Sequence, residues 1–318
     1  MTTIKIGSEE AGSRIDRILR KRLSLMKLSE IYSLLRKGGV RIGGQKIKKQ
    51  DHRVSEGDVL EIDVNESEII TPKGPDSSLV KIIDTEFFRR NFRIIYEDPD
   101  LLACDKPSGL VVHPGTGHLK RDTLIELACG YLISKGKLKE GEEPALVHRL
   151  DRDTSGVILI AKSKRIVRQI NELFRSRDVV KQYSAICHNR PPKFEGEIVV
   201  GLERTHEDES GTKMQVSENG ALTKTRYRIL EYNGTISKLE LFLETGKTHQ
   251  IRVHLSHVKA PIVGDIRYGD PELDKKVLER KRRRLYLHAK RISFVHPISG
   301  KKITITANEP EEFRELIA

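Results

Sequence analysis

Three short stretches of this chain hold residue types that can do chemistry. In His148-Arg149-Leu150-Asp151-Arg152-Asp153-Thr154-Ser155-Gly156, two carboxylates stand among two arginines. A carboxylate in such a setting can attack or take a proton, and a neighbouring guanidinium keeps it ionised. Lys181-Gln182-Tyr183-Ser184-Ala185 offers an aromatic face and a phenol oxygen beside a lysine. Thr245-Gly246-Lys247-Thr248-His249-Gln250-Ile251-Arg252-Val253-His254-Leu255 gathers cations and imidazoles. Each also has a plainer reading: a tight turn with solvated ion pairs, a core tyrosine, and an amphipathic helix. His249, His254 and His257, with Asp265 near in sequence, invite a metal, but they do not share one helical face. No metal and no cofactor are expected.

The elements that must position these groups follow from periodicity. Ala145 to Leu150 ends a strand, Asp153-Thr154-Ser155-Gly156 is turn chemistry, and Val157 to Ala161 reads as a buried strand. The charged loop is therefore held between two core strands. Ser163 caps a helix with Ile166, Ile170, Leu173 and Phe174 on one face, and Thr248 caps another with Ile251, Leu255 and Val258 buried. Arg93 to Tyr96 and Leu101 to Cys104 flank a turn and predict a hairpin, and a helix is predicted over 122–134. Further strands are expected at Tyr183–Cys187, Glu197–Val200, Lys213–Val216, Thr223–Leu230, Ser237–Leu243, Leu285–Val295 and Ile303–Thr306. Helices interrupt a strand-rich, hairpin-linked chain, which is α+β and lacks the alternation of a doubly wound fold.

Upstream, Ile15, Ile18, Leu19 and Leu23 recur at helical spacing after the cap Ser13, and Leu28, Ile31, Leu34 and Leu35 repeat the pattern. Gly38-Gly39 stops the second helix, and Val40-Arg41-Ile42, Gly43-Gly44, Gln45-Lys46-Ile47 is a hairpin ahead of the strand Val59–Val64. The outward faces carry Arg14, Arg17, Arg20, Lys21, Arg22, Lys27, Arg36, Lys37, Arg41, Lys46, Lys48 and Lys49. So many like charges on a small unit fit a polyphosphate partner. The division is a basic module at 1–65, a Pro/Gly/Ser-bearing linker at 66–86 and a large domain at 87–318.

A net charge of +12 over 318 residues favours a polyanion, with ribosomal or other RNA foremost. No apolar run approaches the roughly 18 residues of a membrane span, and Met1-Thr2-Thr3-Ile4-Lys5 lacks a signal-peptide core. Three cysteines without metal spacing suit a reducing cytoplasmic setting. No membrane contact and no obligate protein partner are expected.

The nine-residue stretch His148–Gly156 resembles the signature of the RluA family of RNA pseudouridine synthases, whose catalytic aspartate matches Asp151. Lys181-x-Tyr183-x-Ala185 is similar to the stretch that supplies the family's active-site tyrosine. Thr245 to Leu255 resembles the stretch whose second arginine matches Arg252 and pairs with that aspartate. Lys106-Pro107-Ser108-Gly109, His113-Pro114 and Gly264-Asp265-Ile266-Arg267-Tyr268-Gly269 extend the likeness, and residues 87–92 with 284–289 draw it towards the branch acting on large-subunit ribosomal RNA. The basic module resembles the αL RNA-binding motif. The resemblance implies an αL-type module followed by a mixed, mainly antiparallel sheet domain with flanking helices. It implies catalysis by Asp151, Tyr183 and Arg252, with Arg149, His148, Lys181, Lys247 and His249 binding substrate. Lys247 departs from the family's usual arginine, and the expected effect is on RNA contact.

The implied reaction breaks the N-glycosidic bond of uridine, turns the uracil and joins its C5 to the same ribose carbon. It needs an ionised carboxylate in a closed site, a bidentate arginine holding it so, and a pocket that retains the free base. A stacked uridine must first be flipped out, and Arg149 matches the residue that enters the vacated space. A binding-only assembly factor would dispense with Asp151, Tyr183 or Arg252, and all three are present. A metal-dependent glycosyltransferase would need a phosphate-cradling glycine loop, and none is seen.

Overall fold

The computed structural model describes residues 2–7, 10–23, 26, 28–64, 77–113, 123–138, 142–205, 213–278 and 284–318. It divides into two compact units. One comprises Met1–Ser78, Leu132–Glu143 and Ser163–Arg165, and the other Leu79–Tyr131, Pro144–Lys162 and Ile166–Ala318.

In the first unit the order is β1 (Thr2–Lys5), α1 (Ile15–Arg22), α2 (Leu28–Arg36), β2 (Val40–Ile42), β3 (Gln45–Lys46) and β4 (Val59–Ile62). Its sheet runs β1-β4-β2-β3 and is antiparallel throughout. The helical apolar positions Ile15, Ile18, Leu19, Leu23, Ile31 and Leu35 pack on Val40, Leu60 and Ile62 of that sheet. β1, which the periodicity did not predict, closes the sheet's far edge and adds Ile4 to the core. The expected cap Ser13 gives way to Arg14, which has extended dihedrals and no side-chain cap bond because the chain enters α1 directly from a bridge between Arg14 and Arg53. The basic face is also smaller than expected. Arg22 is buried and pairs with Glu10 at 2.8 Å, and Arg14 pairs with Asp16 at 2.9 Å. The buried Arg22 guanidinium needs its carboxylate and is not available to a phosphate, whereas Arg14, with its side chain 49% exposed, makes only a surface pair. Arg17, Arg20, Arg36, Lys37, Lys46, Lys48 and Lys49 remain exposed. Lys27 and residues 65–76 lie outside the described residues. The described part of the expected linker forms a 3-10 helix at Ser77–Asp84.

The chain continues with α3 (Glu86–Asn91), β5 (Ile94–Glu97), β6 (Leu101–Lys106), α4 (Leu124–Ser134), β7 (Ala145–Leu146), β8 (Ser155–Ala161), α5 (Lys164–Ser176) and β9 (Val180–His188), all in the second unit except residues 132–134 of α4 and 164–165 of α5. Then come β10 (Glu195–Arg204), β11 (Met214–Val216), β12 (Ala221–Tyr232), β13 (Ile236–Leu243), α6 (Gln250–His257), α7 (Pro271–Leu278), β14 (Leu287–Val295), β15 (Lys302–Thr306) and α8 (Glu311–Ile317). Eleven strands form one sheet, with the path β11-β10-β12-β13-β9-β14-β8-β6-β5. Among the described residues only β14 against β8 is parallel, so the sheet is mixed and mainly antiparallel. β8, Ser-Gly-Val-Ile-Leu-Ile-Ala, is buried at every position, as its apolar run demands. Ile166 and Ile170 of α5 seal it together with Leu101, Leu159, Ile292 and Phe294.

Register brings distant residues into one row. Leu241 pairs with Tyr183, Tyr183 with Ala289, Ala289 with Gly156, and Gly156 with Lys106. Gly156 has φ +111°, and a Cβ there would meet the Ala289 carbonyl at 2.2 Å. Only glycine lets β14 approach this closely where the charged loop enters β8.

Candidate active site

The loop carrying Asp151 is fixed at both ends. After β7, Val147 and Leu150 bury their side chains, while His148 Nε2 accepts the Leu159 amide of β8 at 3.0 Å and its ring lies 5.6 Å from that of Phe174. Burial pushes the His148 imidazole down to about 3, so the ring is neutral and its acceptor committed. Beyond Asp151, the Thr154 amide bonds the Asp151 carbonyl at 3.2 Å, and Ser155 Oγ bonds His288 Nδ1 at 2.9 Å.

Lys106, at the end of β6, has no exposed surface, and its Nζ donates to the carbonyls of Pro107, Leu110 and Arg152 at 2.9, 2.9 and 2.7 Å. Burial pushes the amine down to about 7. Three carbonyl acceptors nevertheless require three N–H, which only the ammonium supplies. Gly109 N also donates to the Arg152 carbonyl, and Ser108 Oγ to that of Asp153. The Lys-Pro-Ser-Gly stretch is thus a clasp on the backbone next to Asp151.

α6 faces this loop. Thr248 was the expected cap, but the N-cap is His249, in the left-handed region at φ +54° and without a side-chain cap bond. Gln250 takes over the anchoring. Its Oε1 accepts from Thr245 Oγ1 and Lys247 N, and its Nε2 donates to the Lys224 carbonyl of β12. This frees the His249 ring to turn towards Asp151, with Nε2 3.8 Å from Asp151 Oδ2.

Arg252 Nη1 reaches Asp151 Oδ2 at 3.2 Å. Its two-pronged grip, expected on Asp151, goes instead to Asp265, with Nε and Nη2 at 2.7 and 2.8 Å from the two carboxylate oxygens. The reason is burial. The Asp265 side chain is 1% exposed and that of Asp151 26%, so the carboxylate deeper from water takes the more complete set of donors. Burial disfavours the Asp265 anion, but Arg252 and the amides of Arg267 and Tyr268 hold its carboxyl below the usual range. Burial likewise opposes charge on Arg252, and Asp265 with Asp151 raises it overall.

One turn supplies both outer anchors. Asp265 orients Arg252, and three residues later Tyr268 orients His249. The Tyr268 hydroxyl accepts the Met214 amide at 2.9 Å, which directs its own hydrogen to His249 Nδ1 at 2.8 Å. That assignment leaves the imidazole proton on Nε2, facing Asp151. Burial lowers His249, Asp151 opposes this, and Arg252 and Arg267 add to it. Arg252 thus bonds Oδ2 with the His249 ring facing the same oxygen at 3.8 Å, and Asp151 Oδ1 has no hydrogen-bond partner among the described residues.

These groups line a cavity of about 970 Å³ together with Arg149, Tyr183, Lys181 and Lys247, near the upper end for small-ligand sites. Tyr183 is 8% exposed and its hydroxyl makes no hydrogen bond among the described residues. Burial, then Asp151, raises its phenol, which stays protonated. Lys181 Nζ lies 5.7 Å from the Phe174 ring, and burial lowers its amine. Arg149 and Lys247 are exposed. All eight residues singled out from the sequence lie on this cavity, His148 with its Nε2 already committed. Asp265, Tyr268 and Lys106 were not assigned roles, although all three sat in stretches already noted for their resemblance. His113 lines the cavity too, whereas Pro114 and the basic residues 280–283 lie outside the described residues.

His254 Nε2 bonds Thr223 Oγ1 at 2.7 Å and turns away from His249. Among the described residues a different group has metal-like proximity, Asp98, Asp100 and His296. His296 Nδ1 accepts the amides of Ile298 and Ser299, which puts the hydrogen on Nε2, 3.4 Å from Asp98 Oδ2 and without a hydrogen-bond partner among the described residues.

A family model described as RNA pseudouridylate synthase matches residues 100–257, and one described as S4 domain matches residues 13–60. Ribosomal large subunit pseudouridine synthase C of Vibrio cholerae serotype O1 is 36% identical, covering 96% of this chain and 92% of that protein. Its counterpart in Escherichia coli K12 is 32% identical, covering 99% and 95%. Among solved structures, human RNA pseudouridylate synthase domain containing 4 is 28% identical with a TM-score of 0.56, covering 75% of this chain and 94% of that one. Human RNA pseudouridylate synthase domain containing 1 is 25% identical with a TM-score of 0.55, covering 69% and 84%. A mixed sheet carrying a cation-held carboxylate beside a buried tyrosine, preceded by an S4 domain, is the architecture of an RNA-modifying isomerase. The chain belongs to the RNA pseudouridylate synthase family. It isomerises uridine in RNA to pseudouridine.

Proposed function

We propose that this enzyme modifies uridines of large-subunit ribosomal RNA in the cytoplasm, and that Asp151 is the carboxylate that does so. The observation that carries the assignment is the state of Asp151. Arg252 Nη1 bonds one of its oxygens at 3.2 Å, with the His249 imidazole 3.8 Å from the same oxygen. The other oxygen has no hydrogen-bond partner among the described residues, and the side chain lines a large cavity. Such a carboxylate is held in place by a cation while keeping a lone pair for the substrate. Whether Oδ1 attacks the ribose carbon, attacks the ring or draws a sugar proton, all three routes use the same free oxygen. Tyr183 gives the detached uracil an aromatic face at the cavity wall, and a protonated phenol that can donate to it. Arg149, Lys181 and Lys247 supply cations for the phosphates on either side of a flipped nucleotide, with Arg149 entering the gap. We assign His249 to Asp151 and the substrate together, and His148 to holding the loop from within the cavity wall.

We assign residues 1–65 to RNA capture, 66–86 to the connection and 87–318 to catalysis. The identities to ribosomal large subunit enzymes favour this RNA, and the intact site gives no support to a binding-only role. Mapping pseudouridines in ribosomal RNA from cells with and without the gene is the test. Loss of particular large-subunit pseudouridines, restored by the wild-type gene and not by Asp151→Asn, is the expected result. An unchanged large-subunit map would overturn the substrate assignment.

A further inference from the structure

We propose that Ile266 is an apolar wedge that packs on the nucleobase next to the flipped uridine and so sets which uridine is accepted. This rests on the enzyme's reading as a large-subunit RNA pseudouridine synthase and deepens it. Ile266 is 88% exposed, the most exposed large apolar side chain among the described residues, and it lies on the wall of the Asp151 cavity. Isolated surface apolar residues need no explanation, but this one is presented with unusual rigidity. The preceding Gly264, at φ +73°, lies so close to the Arg284 carbonyl that a Cβ would approach it to 1.8 Å. Asp265 is 3% exposed, and its carboxylate accepts the amides of both Arg267 and Tyr268. The Gly269 amide closes the turn on the Asp265 carbonyl at 2.8 Å.

A β-branched side chain has few rotamers to lose, so a fixed isoleucine binds a flat apolar surface at little entropic cost. When a nucleotide leaves its stack, the neighbouring base exposes such a surface, and inserted Ile, Leu or Phe side chains are a known way to cover one. Cations surround this wedge: Arg149, Lys247 and Arg267 line the same cavity. They hold phosphates irrespective of sequence, which leaves the apolar contact to discriminate. The turn also fixes Arg252 through Asp265 and His249 through Tyr268. Pressure of a correctly seated base on Ile266 thus bears on both donors that face Asp151.

The test is tritium release from a [5-³H]uridine-labelled large-subunit ribosomal RNA transcript, with sequencing of the pseudouridines formed. Ile266→Ala should lower kcat/KM about tenfold (~1.4 kcal/mol) and redistribute product among uridines, with unchanged melting temperature and unchanged dependence of binding on salt. Ile266→Leu should recover to within about threefold. Ile266→Lys, which would strengthen a purely electrostatic contact, should be no better than Ile266→Ala. Wild-type rate and site choice in Ile266→Ala overturn the wedge while leaving the substrate assignment intact. So does a gain with Ile266→Lys, or a loss matched by a lowered melting temperature. No tritium release by the wild-type enzyme from this transcript overturns the substrate assignment and the wedge with it.

Discussion

Replacing Asp265 by Asn tests whether the outer carboxylate is what leaves Asp151 free to react. Asn keeps the size and one acceptor but removes the charge that meets Arg252 at 2.7 and 2.8 Å. Breaking a buried ion pair by neutralising one partner costs about 3–5 kcal/mol. Here the loss is softened, because Arg252 keeps Asp151 at 3.2 Å and the asparagine oxygen retains one hydrogen bond. A destabilisation of about 2–4 kcal/mol is expected, a fall in Tm of roughly 4–16 °C for a unit of this size. The effect on rate has a separate origin. Without Asp265, the guanidinium turns its two-pronged face to Asp151 and takes up the oxygen that was open. Overbinding worth about 3 kcal/mol lowers the rate about 10²-fold. Single-turnover tritium release at saturating RNA, measured well below the variant's Tm, reads this directly. Asp265→Asn with a wild-type rate and a wild-type Tm would refute the reasoning. A rate loss that merely tracked the unfolded fraction would refute the part concerning Asp151.

Asp151→Asn should abolish tritium release while preserving Tm and RNA binding, whereas Asp153→Asn, whose carboxylate meets exposed Arg152 at 3.0 Å, should keep most activity; equal losses would sink the distinction. Deleting residues 1–76, which spares the 3-10 helix whose Leu79 carbonyl abuts Gly130, should weaken RNA binding and make its salt slope shallower by about 0.7–0.9 for each phosphate no longer neutralised, with saturated rate within about tenfold. Filter binding over a salt series, paired with the rate, decides this, and an unchanged slope with a collapsed rate would mean the module is scaffold. Burial lowers His148 to about 3 and His254 and His288 to about 4, against about 6.5 in an unfolded chain. Between these values the unfolded state binds more protons, so stability should fall as pH drops from about 6.5 towards 4. Glu309, held near 2 by Lys238 and Lys290 against its burial, extends the loss below about pH 4.5; Tm measured against pH would contradict both if flat from 7 to 3.

What the sequence determined by itself was local. The αα-hairpin of the first unit came from apolar spacing, and the turn at Gly43-Gly44 from residues suited to φ of +55° and +80°. The buried core of β8 came from the apolar run Val157 to Ala161, whereas Ser155 and Gly156, expected in a turn, begin the strand because they pair with β14. Asp151, Tyr183 and Arg252 stood out because each lies in a stretch resembling a known family. Short-range pattern fixes an element's type and the face it buries, and it needs no partner to do so. Tertiary structure decided what those residues touch. Arg252 chose Asp265 for its two-pronged contact because Asp265 is the more deeply buried carboxylate, a fact that no spacing encodes. His249 took a left-handed backbone, and Gln250 the anchoring expected of Thr248, because α6 starts against β12. Lys106 became a clasp once the register set β6 beside β8 and brought its amine under the Arg152 carbonyl. Competition among buried charges for the same few donors depends on relative depth, and depth exists only after the chain has folded.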